Sequence, residues 1–187
     1  MHYEVRAVRA DEWRQVRDLR LAALQDPVAD IAFLETYETA AAQPDAFWRQ
    51  RAEGAAEGSD GVRQFVALGA DGSWLGSVTV LVERHTDDVR FGAPATVDQT
   101  HVVGVFVRPE ARASGVADAL FRAALDWSWA LPEPVVQRVR LYVHERNDRA
   151  AAFYRRAGFV PSGETVLLDG DPASRQVEYV VPRPPEA

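Results

Sequence analysis

Arg112-Ala113-Ser114-Gly115-Val116-Ala117 places an arginine three residues before a glycine, among small side chains. It follows the apolar run Val105-Phe106-Val107 and precedes a stretch of helical periodicity. A strand that opens onto a glycine-bearing helix start leaves backbone N–H groups pointing outward, which makes a ready anion site. Gly115 has no Cβ to hold a ligand off, Ala113, Ser114 and Ala117 keep the turn open, and Arg112 adds a fixed positive charge. The chemistry this suits is the binding of a phosphate-bearing ligand, with the N–H groups of Ala113 to Ala117 converging on a pyrophosphate. Taken alone, the same residues also describe an ordinary surface helix start in an Ala- and Arg-rich chain.

A second segment belongs with it. Leu141-Tyr142-Val143 reads as a strand, Asn147 as a helix N-cap, and Gly158 as the helix stop. Asn147, Ala151, Tyr154 and Gly158 are spaced by 4, 3 and 4 and share one helical face, while Phe153 and Ala157 mark a neighbouring face as core. On this reading Tyr154 projects away from the core with its hydroxyl available.

The elements that must position these residues follow from periodicity. Residues 3–8 read as a strand, Asp11 caps a helix running to Leu24, and Pro27 stops it. Residues 28–43 read as a short helix or a loop, and Pro44-Asp45 opens another helix ending near Gly54 to Gly58. Val62–Leu68 and Ser73–Glu83 form a hairpin around Gly69-Ala70-Asp71-Gly72. A polar loop over 84–98 leads to the strand Thr100–Val107, the helix Ser114–Ala130, the strand Val135–His144 and the helix Asn147–Ala157. Phe159–Leu168 and Arg175–Val181 close the sheet around the turn Asp169-Gly170-Asp171-Pro172. The expected fold is α/β (α+β): one domain over 1–182, with a mixed sheet of about seven strands flanked by about four helices. Residues 183–187 are expected to be a Pro-rich tail. Trp48 and Phe33 read as core rather than pocket wall.

Composition narrows the function classes. The chain has 187 residues, 21 basic and 28 acidic side chains, and a formal charge of −7. That argues against nucleic acid and anionic membrane surfaces as partners. It contains no cysteine, which excludes disulfides, cysteine-ligated zinc and a thiol nucleophile. His2, His85, His101 and His144 include no pair at metal-ligand spacing, so no metal is expected. The N-terminal stretch has no apolar signal region, and a cytoplasmic location is expected. Neither of the two standard glycine-rich nucleotide motifs is present.

Together, Val105-Phe106-Val107-x-Pro109-x-x-Arg112-x-x-Gly115-x-Ala117 and the later Leu141-x-Val143, Asn147 and Ala152-Phe153-Tyr154-x-x-Ala157-Gly158-Phe159 resemble the GNAT superfamily of N-acetyltransferases. Arg20-Leu21-x-Ala23-Leu24-x-Asp26-Pro27, with Ala32-Phe33 after it, resembles one common subgroup more weakly. The resemblance implies acetyl-CoA as co-substrate and a small-molecule or protein amine as acceptor. It implies a splayed strand pair forming the cofactor cleft, with Val105, Phe106 and Val107 along the acetyl and pantetheine arm. The pyrophosphate loop is then Arg112, Ala113, Ser114, Gly115, Val116 and Ala117, and Asn147 contacts the cofactor arm. Tyr154 is the expected proton donor to the departing thiolate, which a phenol of ordinary pKa, ~10, can serve. A homodimer through the final strands is also implied.

One departure stands out: Ala113-Ser114 occupies a position where such enzymes often carry Gly-Lys, so a phosphate charge partner is missing. Arg108, Arg149 or Arg155 could compensate. The amine must lose a proton before attack. His101, which with Asp98 lies just before the splayed strand, is the first choice of base, and Glu83, at the end of the preceding hairpin, the second. By strict alternation His101 shares a face with Val103 and Val105. Glu35 and Glu38 are placed to line the acceptor pocket. The competing function is a non-catalytic acyl-CoA sensor or scaffold on the same fold.

Overall fold

A computed structural model describes residues 2–168 and 171–185. Seven strands form one sheet: β1 (Tyr3–Ala7), β2 (Val62–Gly69), β3 (Trp74–Glu83), β4 (Gln99–Val107), β5 (Arg138–His144), β6 (Val160–Leu168) and β7 (Asp171–Pro182). Their spatial order is β1-β2-β3-β4-β5-β7-β6. Every neighbouring pair is antiparallel except β4 and β5. The helices are α1 (Trp13–Leu24), α2 (Ala29–Ala32), α3 (Tyr37–Ala41), α4 (Asp45–Gly54), α5 (Val116–Ala130) and α6 (Asp148–Arg156), with one 3₁₀ turn at Pro109–Ala111.

The helix number exceeds the expected four because residues 28–43 form two short helices. Thr36 caps the second of them through a 3.2 Å bond from Thr39 N–H to its hydroxyl. Helix α1 begins behind Glu12 rather than Asp11. Glu12 is held there by Arg6 and by the Arg9 N–H at 2.8 Å. Asp169 and Gly170 of the expected last turn lie outside the described residues, while Asp171 and Pro172 already belong to β7. The chain does not fray at Arg183. Its N–H reaches Gln137 O at 2.8 Å, and its guanidinium donates to the Val136 and Trp129 carbonyls. No helix among the described residues is long and apolar enough to cross a membrane.

The sheet separates two apolar clusters. One packs Val116, Leu120, Phe121 and Ala124 of α5 and Ala151 and Tyr154 of α6 against Phe65, Val78, Val80 and Val102. The other packs Val16 and Leu19 of α1, Ala40 of α3 and Trp48 of α4 against Val66 and Phe106. Strand β3 sits between both, and its residues Trp74 to Val78 are all buried.

Two irregularities in β4 shape the site. The β3–β4 register steps from Ser77↔Phe106 to Thr79↔Val103, so β4 carries one extra residue. The bulge is at Gly104, whose φ of +62° is one that L side chains rarely adopt. It reverses the alternation beyond it. His101 and Val103 therefore share a face with Phe106, whereas Val105 and Val107 turn to the α5 side with Val102. The expected grouping of His101 with Val105 is corrected accordingly.

The second irregularity is a divergence. β4 and β5 pair only from Gln99↔Arg138 to His101↔Arg140, although both strands continue. Beyond that point, the facing edges from Val102 and Leu141 onward have no ladder partner between them. This is the splayed pair that the sequence implied.

Candidate active site

On the α5/α6 side, the splay opens toward the start of α5. The backbone N–H groups of Ala113, Ser114, Gly115, Val116 and Ala117 find no acceptor among the described residues. Ala113 has φ +59° and Gly115 φ +88°. This alternation of handedness curls successive N–H groups toward one point, a nest suited to an anion. The left-handed backbone at position 115 favours glycine, and a Cβ there would stand 3.1 Å from the Tyr3 hydroxyl, a close approach at the tip of a movable side chain. The Ser114 hydroxyl turns inward, donating to Ala111 O at 2.5 Å, and leaves the nest to the backbone.

Arg112 does not supply a free charge there. Its Nε donates to Val107 O at 3.0 Å and its guanidinium pairs with Asp26. It fixes the loop to the end of α1 instead. Arg155 is likewise engaged, donating to the Tyr179 hydroxyl at 2.9 Å, and Arg108 Nε holds Trp74 O at 2.7 Å.

Asn147 caps α6 as its position predicts, its Oδ1 accepting from Ala150 N–H at 3.2 Å. The orientation of the helix differs from expectation. Ala151 and Tyr154 form its buried face, while Phe153 and Ala157 are only partly covered. Tyr154 lies against Phe121, Phe159 and Tyr179, with ring centroids 5.6, 6.3 and 6.5 Å away. Burial pushes its phenol well above the ordinary tyrosine range, so it stays protonated at any physiological pH.

On the opposite face, a cavity of about 520 Å³ reaches β4 at His101, Val103 and Gly104. Its far wall comes from α1, α4 and the segment after α2, including Arg20, Arg51 and Phe33. Phe33 is thus a pocket residue rather than core, whereas Trp48 is fully buried as expected. Of the two glutamates expected at this pocket, Glu35 lines it and is paired with Arg20 at 2.9 Å. Glu38 lies exposed in α3 and lines no part of it.

His101 is completely buried, and Phe91 from the 84–98 loop stacks on its ring at 5.7 Å. Its Nδ1 is 3.3 Å from Glu83 Oε2. Burial would raise the Glu83 carboxyl, but the His101 contact and the Arg140 guanidinium outweigh it and hold it at about 2. Glu83 is therefore ionised, and a neutral His101 must place its proton on Nδ1 to donate to it. Burial lowers the His101 pKa from its ordinary value of 6.5, so the neutral form prevails. Nε2 is then a lone-pair acceptor, and it has no partner among the described residues. Glu83 itself, saturated by charge, is a poor proton acceptor; it orients His101.

The network extends to residues that sequence reasoning missed. Arg140 binds Glu83 through two 2.8 Å bonds and Glu178 at 3.1 Å. Gln99 bridges Glu83 to Arg138. The Tyr142 hydroxyl donates to Glu178 at 3.2 Å and accepts from Ala93 N–H at 2.9 Å. That last bond draws the 84–98 loop so close that a Cβ at Gly92 would overlap the Tyr142 ring at 2.4 Å. The available signal was Arg138, Arg140 and Tyr142 at every second position of an interior strand, which puts three polar side chains on one covered face. No cluster of His, Asp and Glu among the described residues could hold a metal ion.

A neutral imidazole thus lies on one side of a bulged, splayed strand and an anion nest on the other. The family model for the acetyltransferase (GNAT) family matches residues 13–159. Among solved structures, a phosphinothricin acetyltransferase from Sinorhizobium meliloti in complex with AcCoA is 19% identical, with a TM-score of 0.71 over 97% of this chain and 89% of its own. An N-acetyltransferase from Thermoplasma acidophilum in complex with coenzyme A is 16% identical, with a TM-score of 0.66 over 95% and 98%. Arabidopsis thaliana NAA60 with a bisubstrate analogue is 18% identical, with a TM-score of 0.64 over 96% and 97%. No curated protein sequence matches the chain. A family match across that much of the chain, on a sheet splayed at β4 and β5, establishes that the chain belongs to the acetyltransferase (GNAT) family.

Proposed function

We propose that the protein transfers the acetyl group of acetyl-CoA to a primary amine by direct attack in a ternary complex. The observation that carries this reading is the meeting of two unlike openings at one place in β4. The unpaired edge and anion nest lie on the α5 side, and the cavity with its free imidazole nitrogen lies on the other.

In this reading the pyrophosphate of the donor sits on the N–H groups of Ala113 to Ala117, and the pantetheine arm runs along Val105 to Val107 beside Asn147. The amine enters the cavity as an ammonium and gives its proton to His101 Nε2. Its lone pair then attacks the acetyl carbon. Charge gathers on the carbonyl oxygen, where a backbone N–H of the unpaired β4 edge stabilises it. The carbon–sulfur bond breaks, the thiolate takes the proton of Tyr154, and the second amine proton leaves the nitrogen to restore the phenol, so that the amide is neutral and the one net proton rests on His101. Burial sets the resting states, a protonated Tyr154 and a neutral His101, while making the one a weaker acid and the other a weaker base than in water. Glu83 and Arg140 are positioning residues behind His101.

The test is a panel of amines with acetyl-CoA, following free thiol and the acetylated product. Amine-dependent thiol release, stoichiometric with product, is expected. Tight coenzyme binding with an intact thioester across the panel would replace this reading with a sensor or scaffold.

A further inference from the structure

The acceptor cavity contains an ionic imbalance that the transfer reading does not use. Two guanidinium groups, Arg20 and Arg51, face one inner carboxylate, Glu35. Glu35 is committed to Arg20 at 2.9 Å, and Arg20 also lies over the Phe33 ring at 4.5 Å. Arg51, from the last turn of α4, has no hydrogen bond and no ion pair among the described residues. Its guanidinium lies over the Trp48 ring at 5.7 Å. Asp30 also borders the cavity, but it lies exposed and makes no ion pair with Arg51.

Placing an uncompensated charge in a partly desolvated pocket is costly. The cost shows in the lowered Arg51 pKa, caused first by burial and then by the neighbouring Arg20 charge, with Glu35 offsetting only part of it. An acidic chain with 28 carboxylates has ample means to neutralise one arginine and does not do so here. The missing counter-charge is most simply an oxyanion of the ligand. Beside the apolar Phe33, Val62, Leu81 and Phe91 the wall carries neutral polar groups, and its two carboxylates are Glu35, paired with Arg20, and the exposed Asp30.

We propose that the acceptor is a zwitterionic amine of amino-acid type, whose carboxylate pairs with Arg51 while its amine meets His101 and its body lies on the apolar wall. This deepens the transfer reading and rests on it for the role of the cavity.

The test separates the two. Calorimetry with the N-acetyl forms of leucine, methionine and phenylalanine, against their carboxamides, reads the carboxylate site without turnover. The acids are expected to bind about ten- to a hundredfold more tightly than the amides, as one charge-assisted contact provides. Arg51→Gln should erase that preference, Arg51→Lys should keep part of it, and the melting temperature of Arg51→Gln should hold or rise. Equal binding of acids and amides, no binding of any acid, or an Arg51→Gln variant that melts lower with unchanged preference would each overturn the assignment. A carboxylate preference without thiol release from any amine would remove the transfer reading and leave this one standing. Turnover of polyamines with no carboxylate preference would do the reverse.

Discussion

On the α5/α6 side of β4, Val102, Val105 and Val107 meet an apolar cluster, and the polar groups on offer are neutral backbone N–H dipoles and a protonated phenol. On the α1/α4 side, His101 meets Glu83, with Arg140 and Glu178 behind it, all four buried, and the half-buried Tyr142 beside them. The two faces are a strand's thickness apart and use different physics. Backbone dipoles hold a permanent anion at any pH and need no tuning. An amine arrives protonated, so its face needs a titratable group held in the right state, and a charged network behind that group fixes its tautomer. The pH dependence of the protein should therefore originate on the acceptor face and its donor affinity on the other.

Variants on each face break or sharpen that division. The largest effect expected is His101→Gln, which should lower kcat about 10²- to 10⁴-fold while acetyl-CoA affinity in calorimetry stays unchanged. Equal damage to both would merge the faces into one. Arg140→Met should cost about 3–5 kcal/mol in urea unfolding, because Glu83 and Glu178 are left buried without their cation. Its pH signature has a definite sign. Glu83 titrates at about 2 when folded against an ordinary 4.5, so its contribution is present above 4.5 and lost as pH falls toward 2. Arg140→Met should flatten that acid limb.

Tyr154→Phe should reduce turnover about 100-fold with stability within about 1 kcal/mol of wild type, since only a hydroxyl leaves a packed aromatic site. Full retained turnover on a true acceptor, with chemistry limiting, would remove the acid role. The smallest effect belongs to Gly115→Ala. The left-handed backbone there costs about 1–2 kcal/mol with a Cβ, read as a lower melting temperature. Its methyl also crowds the nest, which should weaken the donor by less than His101→Gln weakens turnover.

The strand and helix order was legible in the sequence because it depends on local signals: two-residue alternation, helical spacing, Asn147 as a cap and Gly158 as a stop. The site was legible where it depends on backbone, as at Gly115, and less so where it depends on distant partners. Arg112 read as a phosphate ligand because nothing local reveals Asp26, 86 residues away. Tyr154 was assigned to the outer face because α6 carries apolar residues on two adjoining faces, and periodicity alone does not choose between them. His101 was grouped with Val105 because one extra residue at Gly104 reverses every orientation after it, and a bulge leaves only a glycine as its trace. The role of Arg140 is hidden because its two carboxylates come from β7, which pairs with β5, and from β3, one strand beyond β4, both far away in sequence.

The most direct test of the two-sided site is an initial-rate matrix of acetyl-CoA against an accepted amine, with intact-mass analysis of the enzyme incubated with acetyl-CoA alone. Intersecting double-reciprocal lines, no acetylated protein and no thiol release without amine are the predicted result. Parallel lines with an acetylated side chain would contradict direct transfer across β4.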